Sequence, residues 1–251
     1  MSGTGAGPVR ASVCMATYQG AAYVAEQVRS ILAQLGPVDE LVVVDDASRD
    51  ATAGIVAAFD DPRLRLVRNE TNRGYVRTFE RALELARGDY LFLADQDDIW
   101  LPGRLDAMLA ALQDHAVVST SVAVLGEPTE PPRFRLRARD SRRHLANIFA
   151  VMIGYRPYTG CAMGMRRDIL ASVLPIPGFV FESHDLWIAL VANTHRQNVH
   201  LEAPSVARRL HDANQTPLGW RSLRAILRAR WMKARCLVVA LGRARSYRPR
   251  A

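Results

Sequence analysis

The chain has 251 residues, of which 49% are hydrophobic, and this length fits one large α/β domain or two small ones. Its 33 Lys and Arg residues outnumber 25 Asp and Glu residues, which gives a formal charge of +8, and all of these cations except Lys233 are Arg. This composition excludes a disordered, collagen-like or disulfide-scaffold protein.

From residue 9 to residue 113, short apolar runs alternate with segments of helical period, which is typical of a parallel sheet covered by helices. The predicted strands are residues 12–16, 40–44, 64–67 and 90–94. The predicted core-facing helix stripes are Val24, Val28, Ile31, Leu32 and Leu35; Val76, Phe79, Leu83 and Ala86; and Leu105, Met108, Leu109 and Leu112. The second and fourth strands show no polar alternation, so both are predicted to be buried on both faces.

The second half of the chain is less regular. A strand is predicted at residues 117–124, a Pro-rich loop at 126–140, a strand at 160–165 and a helix at 184–193. The chain is helical again after Pro217, with apolar residues near one face and Arg over the rest of it. The apolar residues of that face are Trp220, Leu223, Leu227, Trp231, Ala234 and Val238.

The cysteines and the apolar runs predict a cytoplasmic protein. Cys14, Cys161 and Cys236 lie far apart without a CxxC spacing, which indicates neither a zinc site nor an oxidising compartment. No apolar run approaches the roughly 20 residues that a membrane-spanning helix needs. The Gly-rich residues 1–8 lack the basic and apolar regions of a signal peptide, and we expect them to form a disordered tail.

Acidic side chains follow two of the predicted strands. Asp45 and Asp46 end the second strand, and Asp95, Asp97 and Asp98 follow the fourth. Ligands of an open parallel sheet bind outside the carboxyl ends of its strands, so both clusters are expected to face one crevice. Five carboxylates would repel each other unless a divalent cation screened them, and oxygen ligands of this kind suit Mg²⁺ or Mn²⁺. The alternative is that these acids only cap helices and turns.

Two common phosphate-binding motifs are absent from the sequence. There is no GxxxxGK[ST] loop, and Ala-Thr-Tyr-Gln-Gly at residues 16–20 stands where GxGxxG would follow the first strand. A P-loop NTPase or a dinucleotide-dependent enzyme is therefore not expected. Phosphate would instead be held by a metal, which also stabilises a diphosphate leaving group, and by isolated cations.

Five motifs occur in order along the chain: Met15-Ala-Thr-Tyr-Gln-Gly20, Val44-Asp-Asp-Ala-Ser-Arg-Asp50, Asn72-Arg-Gly74, Ala94-Asp-Gln-Asp-Asp-Ile-Trp100 and Thr159-Gly-Cys-Ala-Met163. Together they resemble the family 2 inverting glycosyltransferases over roughly residues 10–215. The Asp-Gln-Asp-Asp-Ile-Trp form is similar to the branch that contains bacterial rhamnosyltransferases. The resemblance implies the nucleotide-sugar-binding α/β fold called GT-A, a nucleotide-diphosphate sugar donor (a dTDP- or UDP-sugar), a divalent metal, and direct displacement at the anomeric carbon by an acceptor hydroxyl.

The resemblance also implies a division of the chain. We expect a glycosyltransferase domain at residues 9–215, with a nucleotide-binding half at 9–114 and an acceptor-side half at 115–215, and a basic helical segment at 216–251. The chain lacks the Gln-x-x-Arg-Trp signature and the membrane helices of the processive synthases. Transfer of a single sugar is therefore expected, to a small or lipid-linked hydroxyl acceptor.

Donor-binding residues follow from the resemblance position by position. The backbone at Ala16 and the ring of Tyr18 are expected to line the nucleobase pocket, and Asp46 to accept a hydrogen bond from the base. Arg73 is expected to meet the diphosphate. Asp95 and Gln96 are expected to bind the donor near its ribose and sugar.

Metal and catalytic roles follow in the same way. Asp97 is the implied metal ligand, with Asp98 as its neighbour, and His211 matches a histidine that adds a metal ligand in many members. A lone His is also consistent with an ordinary surface imidazole. Asp185 matches the family's catalytic base. It could also be a helix N-cap, a role that does not exclude catalysis, and His184 or Glu182 could be the base instead.

The chain beyond Pro204 holds 12 Lys or Arg residues against the single acid Asp212. Such a face can lie on an anionic membrane, which would make the enzyme peripheral on the inner face of the membrane, or it can be a solvated helix face. A metal-dependent nucleotidyltransferase and a basic nucleic-acid-binding protein are the rival functions. No nucleic-acid partner is expected, because aromatic residues make up only 7% of the chain and no stacking platform is evident.

Overall fold

The computed structural model describes residues 7–126, 135–155, 158–210 and 222–248, which fold around one sheet. The strands are β1 (Ala11–Thr17), β2 (Glu40–Asp45), β3 (Leu64–Arg68), β4 (Tyr90–Asp95), β5 (Ile99–Trp100), β6 (Val117–Val124), β7 (Met163–Arg166) and β8 (Asn198–Arg208). The helices are α1 (Val24–Leu32), α2 (Thr52–Ala57), α3 (Tyr75–Leu85), α4 (Arg104–Asp114), α5 (His144–Met152), α6 (Leu170–Val173), α7 (His184–Thr194) and α8 (Leu223–Ala244).

The strand order is β3-β2-β1-β4-β7-β6-β8-β5. Strands β1 to β4 are parallel to one another, β7 runs antiparallel to β4 and β6, and β5 runs antiparallel to β8. β5 follows β4 in the chain yet pairs at the far edge of the sheet, where the Trp100 backbone N–H donates to Ser30 Oγ of α1 at 3.0 Å. The sheet is therefore curled, mostly parallel and flanked by helices, which confirms the predicted GT-A type fold.

β2 is buried along its whole length, as its unbroken apolar run predicts. Val42 and Val44 face a core that includes α3, α7 and α8, whereas Leu41 and Val43 face a second core with α1 and α4. α7 is apolar on nearly all sides and is buried beneath α5 and α8, which both pack against it. This packing fixes the N-terminus of α7 relative to the sheet.

The four strands predicted in the first half match β1 to β4 within one residue at each end, and residues 117–124 match β6. The pattern misses β5, β8, α5 and the short helices α2 and α6. In β8, Glu202, Ala203 and Pro204 interrupt the apolar pattern close to the point where its register with β6 shifts. In α5 the buried residues include Asn147 while Leu145 is exposed, so no apolar stripe marks the inward face.

Two second-half predictions need correction. Residues 160–165 are not one strand: Gly160–Ala162 form a 3-10 turn, closed by the Ala162 N–H donating to the Thr159 carbonyl at 3.0 Å, and only Met163–Arg166 join the sheet. Within the predicted loop 126–140, Ala138–Asp140 form a 3-10 turn, while residues 127–134 lie outside the described residues. Residues 1–6 of the predicted tail also lie outside them.

The predicted C-terminal helix is α8. The apolar residues that the sequence marks on it face solvent and not the core. Leu227, Trp231 and Val238 are exposed. The inward face is formed by Ala229, Met232, Cys236 and Ala240, of which the last three belong to the core shared with α7. Within the ranges described above, no helix has both the length and the apolar composition needed to cross a bilayer.

Candidate active site

The carboxyl ends of β1, β2 and β4 lie side by side and carry the motif loops. Ala16 is paired in register with Asp95. The Tyr18 backbone N–H donates to Gln96 Oε1, and Gln96 Nε2 donates to the Tyr18 carbonyl, both at 2.9 Å. These two bonds hold the loops after β1 and β4 together and leave the Tyr18 side chain 43% exposed. A Cβ at Gly20 would overlap the Gln96 amide, so a larger residue there would displace this amide from its two hydrogen bonds.

Asp46 is buried and organises the loop before α3. Its Oδ1 accepts from Asn69 Nδ2 at 2.7 Å and from the Arg73 backbone N–H at 2.9 Å, and its Oδ2 accepts from the Gly74 backbone N–H at 2.9 Å. The Arg73 side chain is exposed. The structure thus shows Asp46 fixing the segment that carries Arg73, while its contact to a nucleobase stays a prediction.

Hydrogen bonds within the protein satisfy the Asp45 carboxylate. Its Oδ1 accepts from Thr17 Oγ1 at 3.2 Å, and its Oδ2 accepts from the Ser48 backbone N–H at 3.0 Å and from Arg68 Nε at 3.2 Å. For Asp45 the structure therefore agrees with the alternative that this acid holds a turn, and hydrogen bonds from the protein also satisfy Asp46.

The acids after β4 are in a different environment. Ligand atoms of Asp95, Asp98 and Cys161 all lie within 4.8 Å of one another. Burial and the charges of Asp98 and Asp97 raise the pKa of Asp95 well above its usual range. Burial and the charge of Asp97 raise the pKa of Asp98 to about 6. Asp98 Oδ2 is buried without a hydrogen-bond partner among the described residues.

These residues fit a hard divalent cation. The charges of Asp95 and Asp98 repel each other, and Asp98 has a buried oxygen without a partner among the described residues. Such carboxylates are suitable oxygen ligands for Mg²⁺ or Mn²⁺. Burial and the charges of Asp98 and Asp95 raise the pKa of the Cys161 thiol, which keeps it protonated and unsuited to a soft metal. Asp97, the predicted ligand, is half-buried and lies outside this three-residue group, and His211 lies outside the described residues.

Two arginines that sequence reasoning missed act on this cluster. The positive charge of Arg208, at the end of β8, opposes the rise in the pKa of Asp95, Asp98 and Asp185. Arg104 is buried at the start of α4, and its Nη2 donates to the Cys161 carbonyl at 2.6 Å. Burial lowers the pKa of Arg104 to about 10, so it stays charged at neutral pH.

Asp185 lies in the first turn of α7. The N-cap is Ser183, with φ 59°, so the alternative that Asp185 is itself the N-cap is wrong. The Leu186 backbone N–H donates to Asp185 Oδ1 at 2.8 Å. Burial raises the pKa of Asp185 to about 6, with backbone N–H groups of Leu186 and Gly160 opposing the rise. A carboxylate with this pKa accepts a proton readily near neutral pH.

His184 is unsuited to the rival role of base. Its ring stacks on Phe79 with centroids 4.3 Å apart, and both ring nitrogens are buried without hydrogen-bond partners in the described part of the chain. Burial lowers the pKa of His184 to about 4. A Cβ at Gly160 would lie 2.8 Å from His184 Nε2, so the glycine of the Thr159–Met163 motif makes room for this ring. Glu182, the other rival, is only partly buried.

Tyr75 connects the two sides of the site and was also missed. The Ser183 backbone N–H donates to Tyr75 Oη at 2.8 Å. Burial raises the pKa of Tyr75 to about 12, and the charges of Asp185, Glu182 and Asp95 add to the rise. Tyr75 therefore lies near acids of both β4 and α7. It directly follows the Asn72-Arg-Gly74 motif, and Cys161 lies inside another motif, so position within motifs is the signal that could have identified both.

Comparison with known proteins identifies the family of this chain. The model described as "Glycosyl transferase family 2" matches residues 12–174. The chain belongs to glycosyl transferase family 2. This confirms the resemblance at the level of the family, whereas the rhamnosyltransferase branch stays a prediction. Asp185 lies beyond the matched range.

Among curated relatives, the succinoglycan biosynthesis protein ExoO of Rhizobium meliloti is 41% identical over 95 residues, covering 38% of this chain and 27% of that protein. The first curated relatives are matched over only 27% to 45% of their own length. The matched region is therefore less than half of each of these relatives.

Solved structures support the fold. TarS 1-349 of S. aureus, determined in complex with UDP-GlcNAc, aligns with a TM-score of 0.67 at 20% identity over 95% of this chain and 73% of that one. Glucosyl-3-phosphoglycerate synthase of Mycobacterium tuberculosis, determined with Mn²⁺, UDP and phosphoglyceric acid, aligns with a TM-score of 0.59 at 19% identity over 94% of this chain and 78% of that one.

Proposed function

We propose that the protein transfers a single sugar from a nucleotide-diphosphate sugar to an acceptor hydroxyl, with inversion at the anomeric carbon and with a divalent metal. One observation carries this proposal: Asp185 of α7, its pKa raised to about 6, lies close enough to Tyr75 and to Asp95 for its charge to raise the pKa of both. A general base and a diphosphate site on opposite sides of one crevice are what a one-step displacement needs.

The donor side is assigned to the motif loops. Tyr18, held by Gln96, is suited to contact the base together with the Ala16 backbone, and Arg73 is placed by Asp46 for the diphosphate. Asp95 and Asp98 would hold the divalent ion, and Asp97 and His211 remain the ligands that the resemblance implies. When bound, such an ion screens the diphosphate charge and stabilises the leaving group.

The acceptor side is assigned to Asp185. Its carboxylate takes the hydroxyl proton while the acceptor oxygen forms a bond to the anomeric carbon. The bond from that carbon to the diphosphate oxygen breaks, and its electron pair leaves with the nucleoside diphosphate. The products are an inverted glycoside, a nucleoside diphosphate and one proton. This outcome distinguishes the reaction from nucleotidyl transfer, which would release pyrophosphate.

The donor and the pathway are proposed from the relatives. The solved structures contain UDP or UDP-GlcNAc, and ExoO is named for succinoglycan biosynthesis. We assign this chain to polysaccharide biosynthesis with a UDP- or dTDP-sugar as donor. The form of residues Asp95–Trp100 favours dTDP-rhamnose, because of its likeness to the rhamnosyltransferase branch.

A thermal-shift screen of nucleotide sugars tests this proposal. A true donor stabilises the folded state by about 2.7 kcal/mol at 100 times its Kd, so it is recognised by its shift in Tm. The screen compares dTDP-rhamnose, UDP-glucose and UDP-GlcNAc, each with Mn²⁺ and with chelator. The proposal expects a shift with one pyrimidine donor that is much smaller with chelator. Equal shifts with and without metal would refute the metal requirement, and a preference for a UDP-hexose would refute rhamnose.

A further inference from the structure

The exposed side of α8 carries an apolar stripe. Leu227, Trp231, Val238 and Leu241 are spaced four, seven and three residues apart, which places them on one helix face. Trp231 is 68% exposed and Val238 is 71% exposed. The opposite face of α8 is buried against α7, so this stripe contributes nothing to the core of the domain.

A second apolar stripe lies on α5 beside the first. Leu145, Phe149 and Ile153 are each four residues apart and exposed, Leu145 at 79%. Arg230 of α8 donates to the Ile153 carbonyl at 3.4 Å, and Lys233 Nζ donates to the Val151 carbonyl at 3.1 Å. Because α5 and α8 contact each other and both cover α7, their outward sides form one surface, named here the outer α5–α8 face.

This surface concentrates the exposed apolar residues of the protein. Of the 14 large hydrophobic side chains that are exposed in the described residues, four lie at Leu145–Tyr155 and five lie on α8. Scattered exposed hydrophobic residues need no explanation, but a contiguous patch of them marks an interaction surface.

The charge around the patch is positive. α8 contains six Lys or Arg residues and no acid. Arg142, Arg224 and Arg245 are exposed at the ends of α5 and α8, whereas the neighbouring Arg143 pairs with Asp140. Trp and Phe with a basic rim match the headgroup level of an anionic bilayer, whereas a protein partner would have to supply acids around an apolar centre. The combination of aromatic anchors and unbalanced cations therefore favours lipid.

We propose that the outer α5–α8 face docks on an anionic lipid bilayer. This goes beyond the proposed transfer reaction and does not depend on it. The same face adjoins the acceptor side of the site: the Arg228 guanidinium lies over Phe181 at 4.2 Å, four residues before Asp185. Docking in this orientation brings Asp185 close to the membrane surface, where a lipid-linked hydroxyl is presented.

Flotation of the full chain with vesicles tests the docking. At 0.15 M salt we expect the protein to float with vesicles of phosphatidylcholine containing 30% phosphatidylglycerol, and to float much less with pure phosphatidylcholine or at 1 M salt. In a Trp220→Phe background, Trp231 fluorescence should shift to shorter wavelength on binding, since Trp100 and Trp187 are already buried. Trp231→Ser and Phe149→Ser should each lower the partition coefficient about tenfold, and Arg224→Gln about fivefold.

Val38→Ser is the matched control, because Val38 is 53% exposed on the turn before β2, outside this face. It should leave flotation unchanged, and equal Tm values across the variants show that folding is retained. Flotation equal to wild type in Trp231→Ser and Phe149→Ser would overturn the proposal. It would also be overturned by a dimer in sedimentation velocity that Trp231→Ser dissociates, which would assign the face to a second copy of the chain.

Discussion

Replacing Asp185 by Asn removes the proposed base with little change in shape. Asn keeps an oxygen that can accept the Leu186 backbone N–H, which now donates at 2.8 Å, so the first turn of α7 should persist. Positioned general bases contribute about 10² to 10⁴ in rate, and turnover should fall by that factor. Donor affinity should stay within about twofold, because the assigned donor contacts lie on β1, β2 and β4.

The same substitution should alter stability in a pH-dependent way. Burial raises the pKa of Asp185 from 3.8 to about 6, so between these pH values the folded state binds more protons than the unfolded state. The free energy of unfolding of the wild type therefore falls as pH rises through this window. At 1.36 kcal/mol per pH unit, the free energy of unfolding changes by at most about 3 kcal/mol across this window. Because Asp185 is partly exposed, we expect a change of about 1–3 kcal/mol.

Urea unfolding of both proteins at pH 4 and pH 7.5, with chelator and without donor, measures this difference. From pH 4 to pH 7.5, the free energy of unfolding of Asp185→Asn should rise by about 1–3 kcal/mol relative to that of the wild type. A lost hydrogen bond would instead lower it by the same amount at both pH values. In kinetics, wild-type turnover should decline below about pH 6, and the variant should lack this decline. Near-normal turnover in Asp185→Asn, or a pH-independent stability difference, would refute the assignment.

Three further substitutions test the rest of the site. Asp98→Asn should weaken Mn²⁺-dependent nucleotide binding at least tenfold in calorimetry and leave metal-free binding unchanged; a larger loss in Asp97→Asn would show that Asp97 is the main ligand instead. Gly160→Ala should lower the free energy of unfolding by about 1–3 kcal/mol in urea, since its Cβ meets His184, and an unchanged value would contradict this packing. Tyr75→Phe removes the acceptor of a backbone N–H and should lower turnover about tenfold with donor affinity retained, whereas a loss of donor affinity would place Tyr75 on the donor side.

Much of the first half could be predicted from sequence because its strands are buried on both faces. Residues 40–44 and 90–94 form unbroken apolar runs, and each is followed by acids at the carboxyl end of a parallel strand. These local patterns suffice to place Asp46 and Asp95 in neighbouring loops. The second half lacks such patterns, since β8 is interrupted near Pro204 and α5 exposes Leu145 and Phe149.

Contacts between distant segments could not be predicted in the same way. Tyr75 and Ser183 are 108 positions apart and meet through a hydrogen bond between a side chain and the backbone, which no periodicity signals. Arg104 and Cys161 are joined in the same manner. The inward face of α8 could not be predicted either, because no apolar stripe marks it, and only the structure shows that the core uses Met232 and Cys236.

The structure divides the buried acids into two kinds that look alike in sequence. Asp39 pairs with Arg10, Glu40 with Arg87 and Asp45 with Arg68, and each of these acids accepts further hydrogen bonds.

Burial alone would raise the pKa of Glu40, but hydrogen bonds from Ser12 and Arg87 outweigh it and lower that pKa. Asp95, Asp98 and Asp185 instead have a pKa raised by burial, which disfavours the ionised form. Keeping three such carboxylates within one crevice lowers stability at neutral pH. Nothing in the packing of the sheet requires them, since each projects from the end of a strand or helix rather than from its buried middle. The proposed functions account for this cost: Asp95 and Asp98 would bind a cation, and Asp185 would take a proton from the acceptor hydroxyl.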